Sequence, residues 1–398
     1  MASSIPYGRQ HIVEADVQAV IDVLNSEWLT QGPAIERFER EVAAFVGADH
    51  GIALSSATAA LHVACRALGL GAGDVLWTTP NTFVASANCG VYCGAEVDFV
   101  DIDPRTLNMS VQALADKLVR AERRGRLPKV VVPVHFSGEP CDMEAIHALA
   151  QRYGFFVMED ASHAIGARYR ETPIGACRYS DLTVFSFHPV KLITTGEGGM
   201  VLTNRLELAE RVKLLRSHGI TRDPALMEGE SDGPWYYQQI DLGYNYRMTD
   251  IQAILGVSQL KRLPDFLQRR QELAARYDEA LEGLPLIPPF RDPANFSALH
   301  LYVVRLDPTR VARTRREVFE DLRQAGISVN VHYIPVHLQP YYRAMGFMPG
   351  DFPEAERYYQ EAISLPLFYG LSNHDQDRVV QALTAALEPR HAHEGKGA

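Results

Sequence analysis

An amine and a carboxylate stand at the ends of two apolar runs in this sequence, and together they form a reagent pair. Lys191 lies in Ser186-Phe187-His188-Pro189-Val190-Lys191-Leu192-Ile193-Thr194-Thr195-Gly196-Glu197-Gly198-Gly199. Upstream, Phe155-Phe156-Val157-Met158 runs into the acids Glu159-Asp160. An apolar run ending in an acid reads as a buried strand that delivers the acid to the carboxyl edge of a sheet, where open α/β sheets bind ligands. A second such strand over 181–187, followed by a glycine-rich turn, brings Lys191 to the same crevice. A buried amine facing a buried acid is the set that pyridoxal phosphate (PLP) chemistry uses. The lysine forms a Schiff base and the acid pairs with the pyridinium nitrogen. An ordinary buried ion pair beside a loop would use the same two residues, so the rest of the chain must decide.

Three further stretches bear on that choice. Leu54-Ser55-Ser56-Ala57-Thr58 stands before a helical stretch over 59–68. Small hydroxyl residues opening a helix supply free N–H groups, side-chain donors and the positive end of the dipole, which together form an anion site. Plain N-capping explains the same residues; a PLP lysine in the same sheet favours a phosphate cradle. Phe83 follows a strand edge in Trp77-Thr78-Thr79-Pro80-Asn81-Thr82-Phe83, where an aromatic can stack on a flat ring or simply pack in the core. His163, three residues past Asp160, can hydrogen-bond or stack in the same crevice.

Other motifs exclude rather than assign. Gly196-Glu197-Gly198-Gly199 precedes a strand and not a helix, and Gly69, Gly71 and Gly73 fall between a helix and a strand. Neither is a dinucleotide fingerprint. His332 and His337 are five apart in an extended segment, a poor spacing for a metal, and are expected to line a substrate pocket. Cys65, Cys89, Cys93, Cys141 and Cys177 are scattered and odd in number, which fits reduced thiols in a reducing compartment. No metal site is expected.

The elements that must position these groups alternate. Short β-branched or aromatic runs at 74–78, 96–102, 129–134, 155–159, 181–187 and 199–203 are separated by helical stretches at 59–68, 110–124 and 142–153. This predicts βαβ units and a mainly parallel sheet with helices on both faces. Residues 249–282 read as one kinked helix or two in sequence, interrupted at Pro264. Beyond Pro285, a run at 300–306, a helix at 314–324, a strand at 328–333 and helices at 353–363 and 375–387 describe a smaller α+β lobe. The expected division is a large PLP-binding domain over 1–255 with an N-terminal substrate segment, a small C-terminal domain over 256–390 and a disordered tail over 391–398.

At 398 residues, 46% hydrophobic and 22% charged, the chain has the composition of a globular protein. Its net charge of −10, with no basic block, disfavours nucleic acid and anionic membrane as partners. The N-terminus lacks an apolar signal-peptide core, and no run approaches a membrane span. A cytoplasmic location is expected.

Taken together these segments resemble the DegT/DnrJ/EryC1/StrS family of sugar aminotransferases. The resemblance runs from Ile5-Pro6-Tyr7-Gly8-Arg9-Gln10 to Leu365-Pro366, through Leu29-Thr30-Gln31-Gly32-Pro33, residues 55–62, Glu159-Asp160-Ala161-Ser162-His163-Ala164 and Gly243-Tyr244-Asn245-Tyr246-Arg247-Met248-Thr249-Asp250. It implies the fold type I, aspartate aminotransferase-like architecture. Within the family, three stretches are most similar to the members of the pseudaminic acid pathway. These are Phe187–Lys191 with Thr194–Glu197, the stretch 88–95, and Asn330-Val331-His332-Tyr333-Ile334-Pro335-Val336-His337.

The resemblance implies residue roles. Lys191 is the Schiff-base lysine and Asp160 the partner of the pyridine nitrogen. Phe83 stacks on one ring face with His163 close by, and Ala57, Thr58 and Ser186 hold the phosphate. Asn245 reaches the phosphate of a neighbouring subunit, so a homodimer with shared active sites is implied. Tyr7, Thr30, Arg247 and His332 are assigned to the nucleotide-sugar pocket. The implied reaction moves an amino group from L-glutamate to C4 of a UDP-linked 4-keto-6-deoxy-N-acetylhexosamine. A GDP- or dTDP-linked keto-sugar is the nearest alternative. A PLP dehydratase is disfavoured because such relatives replace the lysine with histidine, and a PLP-bearing regulator lacks a DNA-binding module here.

Overall fold

A computed structural model describes residues 4–388; the tail expected over 391–398 lies outside the described residues. Seven strands form the central sheet: β1 (His50–Leu54), β2 (Val75–Thr78), β3 (Glu96–Phe99), β4 (Val130–Val132), β5 (Phe156–Asp160), β6 (Leu182–Ser186) and β7 (Gly199–Thr203). Their order across the sheet is β1-β7-β6-β5-β4-β2-β3. Every strand runs parallel except β7, which is antiparallel to both β1 and β6. The expected α/β architecture with a mainly parallel sheet is therefore present.

Alternation along each strand feeds two cores. Trp77, Val131, Val157 and Phe185 point to one face, and Leu76, Val130, Val132, Met158 and Val184 point to the other. Helices α2 (Pro33–Val46), α5 (Val111–Arg123) and α6 (Met143–Tyr153) cover the first face with Phe38, Leu114 and Ile146. Helices α3 (Ala57–Ala67), α4 (Ala85–Tyr92) and α7 (Leu206–Arg216) cover the second with Leu61, Cys89 and Val212. Strands buried on both sides lack polar alternation, and each large apolar side chain so buried contributes roughly 1.5–3 kcal/mol.

Residues 249–282 form two helices, α8 (Asp250–Leu260) and α9 (Leu263–Ala280). Pro264 sits in the first turn of α9, where its missing N–H is harmless, and so opens a helix instead of kinking one. Thr249 caps α8, its Oγ1 accepting from the Gln252 N–H at 3.2 Å.

The C-terminal part departs from expectation in two places. Strands β8 (Leu286–Ile287), β9 (Tyr302–Leu306) and β10 (Ala362–Leu365) form an antiparallel sheet packed with α10 (Arg315–Gln324) and α12 (Asn373–Leu387). The helix expected over 353–363 stops as α11 (Pro353–Glu361), and the chain turns at once into β10. Four buried residues, too few to show a period, carry that strand. The strand expected over 328–333 is reduced to Ile327–Ser328, which pairs in parallel with Ile5–Pro6. That pairing, with the Leu367 N–H donating to Tyr7 O at 3.0 Å, ties the N-terminal segment to this lobe. Among the described residues no helix is long and apolar enough to cross a membrane.

Candidate active site

Glu159 and Asp160 are neighbours in β5 and therefore leave opposite faces of the sheet. Asp160 is buried on the α3–α4 side. Its Oδ2 accepts from Ser86 Oγ at 2.6 Å, and its Oδ1 accepts from the Ser162 N–H at 3.1 Å. Ser86 itself stands 2.7 Å from Thr82 Oγ1. Two donors thus hold one carboxylate in one orientation, as a charged acceptor buried at a strand end requires.

Glu159 belongs to a separate cluster, so the two acids do not act as a pair. Its carboxylate accepts from His135 Nε2 at 2.7 Å, Ser180 Oγ at 2.5 Å and Thr183 Oγ1 at 2.9 Å. The Cys141 N–H points at His135 Nδ1 at 3.0 Å, and His135 Nε2 faces the acid. Burial pushes the Glu159 pKa up, but the donated hydrogen bonds outweigh it and leave the carboxyl below its ordinary value. A depressed folded-state pKa gives stability that is full above the unfolded value and is lost as pH falls through the folded value. Glu159→Gln is expected to cost roughly 1.5–3 kcal/mol at neutral pH. The deficit should shrink as both proteins are denatured below pH ~4; a deficit that is flat with pH would contradict this account.

Lys191 sits in the connection between β6 and its antiparallel neighbour β7. The Phe187 N–H donates to Gly198 O at 2.9 Å and the Thr195 N–H to Phe187 O at 3.0 Å, closing the base of the loop. Lys191 is partly buried. Burial pulls its pKa down to about 8, against the opposing pull of the Asp160 charge. The same amine helps to lower the pKa of three buried histidines, His163, His300 and His332, after their own burial. For His332 the result is about 3. Lys191 and Asp160 therefore share one crevice with three neutral imidazoles.

The residues expected at a phosphate converge on Gly199. Helix α3 opens at Ala57, two residues earlier than the sequence pattern indicated, with the Ser56 Oγ accepting from the Ala59 N–H at 3.1 Å. Ala57 and Thr58 thus occupy the first turn, whose N–H groups have no partner within the helix. Ser186 ends β6 opposite Gly199 in β7, and Leu54 faces Gly199 from the other side. A Cβ on Gly199 would stand 2.6 Å from Ala57 N and 2.6 Å from Ser56 C, so only glycine lets the strand approach this helix end. This cradle, with the amine of Lys191 beyond it, fits a phosphorylated aldehyde.

Phe83 is not a core residue: it is 59% exposed, with its ring centroid 6.3 Å from that of Tyr333. His163 is buried, its ring 4.4 Å from His300 and its Nε2 3.1 Å from the Tyr333 hydroxyl. Tyr7 lies against His332 at 5.4 Å between ring centroids, and His332 Nδ1 is 2.7 Å from Ser364 Oγ. Phe83, His163, Tyr7 and His332 therefore surround the Lys191 crevice. His337 does not. It is fully buried with its Nε2 2.9 Å from Glu356 Oε1 and its ring beside Phe352 at 4.8 Å, which corrects its expected place in a pocket.

Thr30, Asn245 and Arg247 are placed by backbone bridges on the β1 side of the sheet. The segment around Asn245 crosses the β1 edge, with Arg247 bridged to Leu54, Asn245 to Ser217 and Thr30 to Thr249. Arg247 lines a cavity of about 670 Å³ with Glu39 and Arg216, and Lys191 is not among its walls. Asn245 is exposed. Ser86 and Tyr333, which the sequence reading passed over, are the additions. Ser86 had a signal, since it follows Phe83 by one helical turn; Tyr333 stood beside a chosen histidine. Among the described residues no group of three or more His, Cys, Asp or Glu could hold a metal ion.

The sequence pattern of the DegT/DnrJ/EryC1/StrS aminotransferase family matches residues 10–384. The spore coat polysaccharide biosynthesis protein SpsC of Bacillus subtilis is 43% identical over 382 residues, covering 95% of this chain and 96% of that protein. Helicobacter pylori PseC, an aminotransferase involved in the biosynthesis of pseudoaminic acid, superposes with a TM-score of 0.88 at 30% identity, over 97% of this chain and 99% of that one. The sugar aminotransferase Spr1654 of Streptococcus pneumoniae, solved in its PLP form, gives a TM-score of 0.86 at 30% identity, over 96% and 98%.

Proposed function

This chain belongs to the DegT/DnrJ/EryC1/StrS aminotransferase family and has PLP as its cofactor, and from that premise we propose that it aminates C4 of a UDP-linked 4-keto-6-deoxy-N-acetylhexosamine. L-Glutamate is the donor in this reading. The activity would be that of a UDP-4-amino-4,6-dideoxy-N-acetyl-β-L-altrosamine transaminase, in pseudaminic acid biosynthesis. The observation that carries the chemistry is the softened amine of Lys191 sharing a crevice with the doubly anchored carboxylate of Asp160. The finer choice of sugar is supported by the likeness to PseC over 97% of the chain.

PLP, when bound, supplies an electrophilic aldehyde and a ring that accepts the electron pair of a broken C–H bond. The protein's part follows from its residues. The Lys191 amine, lowered to about 8, is neutral in a useful fraction near pH 7 and can take and return a proton at the reacting carbon. Asp160, fixed by Ser86 and Ser162, would hold a proton on the pyridine nitrogen. Ala57, Thr58 and Ser186 would hold the phosphate where Gly199 lets the helix end approach. Phe83 and His163 would stand against the ring, and Tyr7 and His332 would line the sugar side.

Asn245 is exposed and Arg247 lines a cavity without Lys191 in its walls; we assign these two, with Thr30, to the crevice of a second copy, making the functional unit a homodimer with shared sites. The five free thiols suit a cytoplasmic enzyme.

The test is an absorption spectrum of the purified protein, first with L-glutamate and then with UDP-, GDP- and dTDP-linked 4-keto sugars. The visible cofactor band should fall with glutamate and return with the UDP-linked acceptor. Return with only a GDP- or dTDP-linked sugar would keep the aminotransferase and overturn the acceptor. That second reading has its own support, because SpsC, at 43% identity, takes its name from spore coat polysaccharide biosynthesis.

A further inference from the structure

Tyr333 has no part in the roles given so far, yet the hydrogen bonds around it dictate where its proton points. The chain of cause starts in the turn after β4. Ser137 has φ 62° and Gly138 φ 94°, a left-handed pair in which the serine is strained. The turn is held by the His300 N–H donating to Ser137 O at 2.9 Å, by Ser137 Oγ donating to Leu301 O at 2.7 Å, and by the Ala298 N–H donating to Gly138 O at 3.0 Å. A Cβ on Gly138 would stand 2.9 Å from His163 O and from Leu299 N, so the turn must pass close to His163.

The product of that strain is one hydrogen bond. The Ser137 N–H donates to His163 Nδ1 at 3.2 Å. A nitrogen that accepts carries no proton, so the neutral ring of His163 bears its proton on Nε2. Burial, with Lys191 nearby, holds the His163 pKa well down and keeps the ring neutral. The Nε2–H therefore donates to the Tyr333 oxygen, 3.1 Å away. That oxygen's own proton must point elsewhere, and among the described residues it meets no second partner. Asp160 does not take it: its carboxylate accepts from Ser86 and Ser162 and makes no hydrogen bond with the Tyr333 hydroxyl. Burial, with the charges of Asp160 and Tyr7, raises the Tyr333 pKa, so the phenol stays protonated. Phe83, Phe136 and His332 fix its ring, at centroid distances of 6.3, 6.3 and 4.9 Å.

We propose that Tyr333 is a hydrogen-bond donor of this active site, its proton turned by the Ser137–His163 relay toward an oxygen that bears negative charge at the reacting end of the crevice. Two bound groups present such an oxygen: PLP through its phenolic oxygen and the keto-sugar through its carbonyl. Ser137 and His163 act through Tyr333 and are positioning residues. The proposal rests on the aminotransferase reading of the Lys191 crevice.

The test is Tyr333→Phe in the PLP-loaded enzyme, which keeps the ring and removes only the hydroxyl. If the acceptor is the cofactor oxygen, that oxygen becomes more basic in the variant, and the pH at which the visible band of the substrate-free enzyme changes moves upward. If it is the sugar oxygen, the resting spectrum and the glutamate half-reaction are unchanged while kcat/KM for the keto-sugar falls about 10- to 100-fold. His163→Leu, lacking the Nε2–H, should move the same readout in the same direction, and His163→Gln, which can donate from a similar reach, should partly restore it. A Tyr333→Phe enzyme with wild-type spectrum and wild-type rates in both half-reactions overturns the proposal. Failure of the wild-type protein to show a PLP band would instead overturn the reading beneath it.

Discussion

Lys191→Ala is expected to abolish turnover and leave the fold intact. The side chain stands in the loop between β6 and β7, outside both ladders, and it is only partly buried. Removing it strands no sheet partner. What is lost is the proposed proton carrier of the reaction, and positioned acid–base catalysis alone is worth about 10²–10⁴ in rate. Loss of covalent attachment adds to that. The amine also depresses the pKa of His163, His300 and His332, so the variant should hold these rings under less electrostatic pressure, which does not threaten folding. Turnover of both half-reactions, set beside a circular-dichroism melt, gives the answer. A variant that melts normally and still turns over at a substantial rate sinks the assignment of the lysine.

Asp160 is a different kind of loss. Asp160→Ala should retain some cofactor, because the proposed phosphate cradle at Ala57, Thr58 and Ser186 is untouched. It should fail at the proton shift, since nothing would hold the ring nitrogen protonated. It also leaves the Ser162 N–H without its side-chain acceptor, while the Ser86 hydroxyl can turn to Phe83 O at 3.3 Å, at a cost of about 1–3 kcal/mol in stability. Asp160→Asn separates the two effects. Its amide oxygen can still accept from a donor, so the melt should stay near wild type while kcat falls about 10²–10³-fold, the usual loss when a preorganised charge is removed. Normal turnover in Asp160→Asn would refute the role.

Much of this arrangement was legible in the residues. Runs such as Val130-Val131-Val132 are buried on both faces, and that dual burial makes them continuous and easy to read as parallel strands. Lys191 and Asp160 announced themselves because charged groups ending apolar runs have few structural uses. The direction of β7 left no trace, since a strand's residues do not encode which neighbour it opposes. Strand β10 hid at the end of a helical pattern because Ala362–Leu365 is too short to show a period of its own. Glu159 and Asp160 looked like a pair because adjacency in sequence is conspicuous; the two-residue repeat of a strand sends them to opposite faces. Tyr333 was out of reach for a further reason. Its importance depends on which nitrogen of His163 carries a proton, and that is set by a backbone N–H 26 residues away in sequence.

The reversed strand β7 also joins two pairings of very different loop length. Its pairing with β6 spans a short loop, whereas its pairing with β1 joins residues 50–54 to 199–203. Closing the longer loop costs more chain entropy, so the lysine hairpin can form while β1 and the head of α3 are still undocked. The cradle exists only after Ala57 has closed on Gly199. A ligand that needs this cradle binds only the folded sheet, so PLP would act as a clasp on it, raising stability by mass action on the native state.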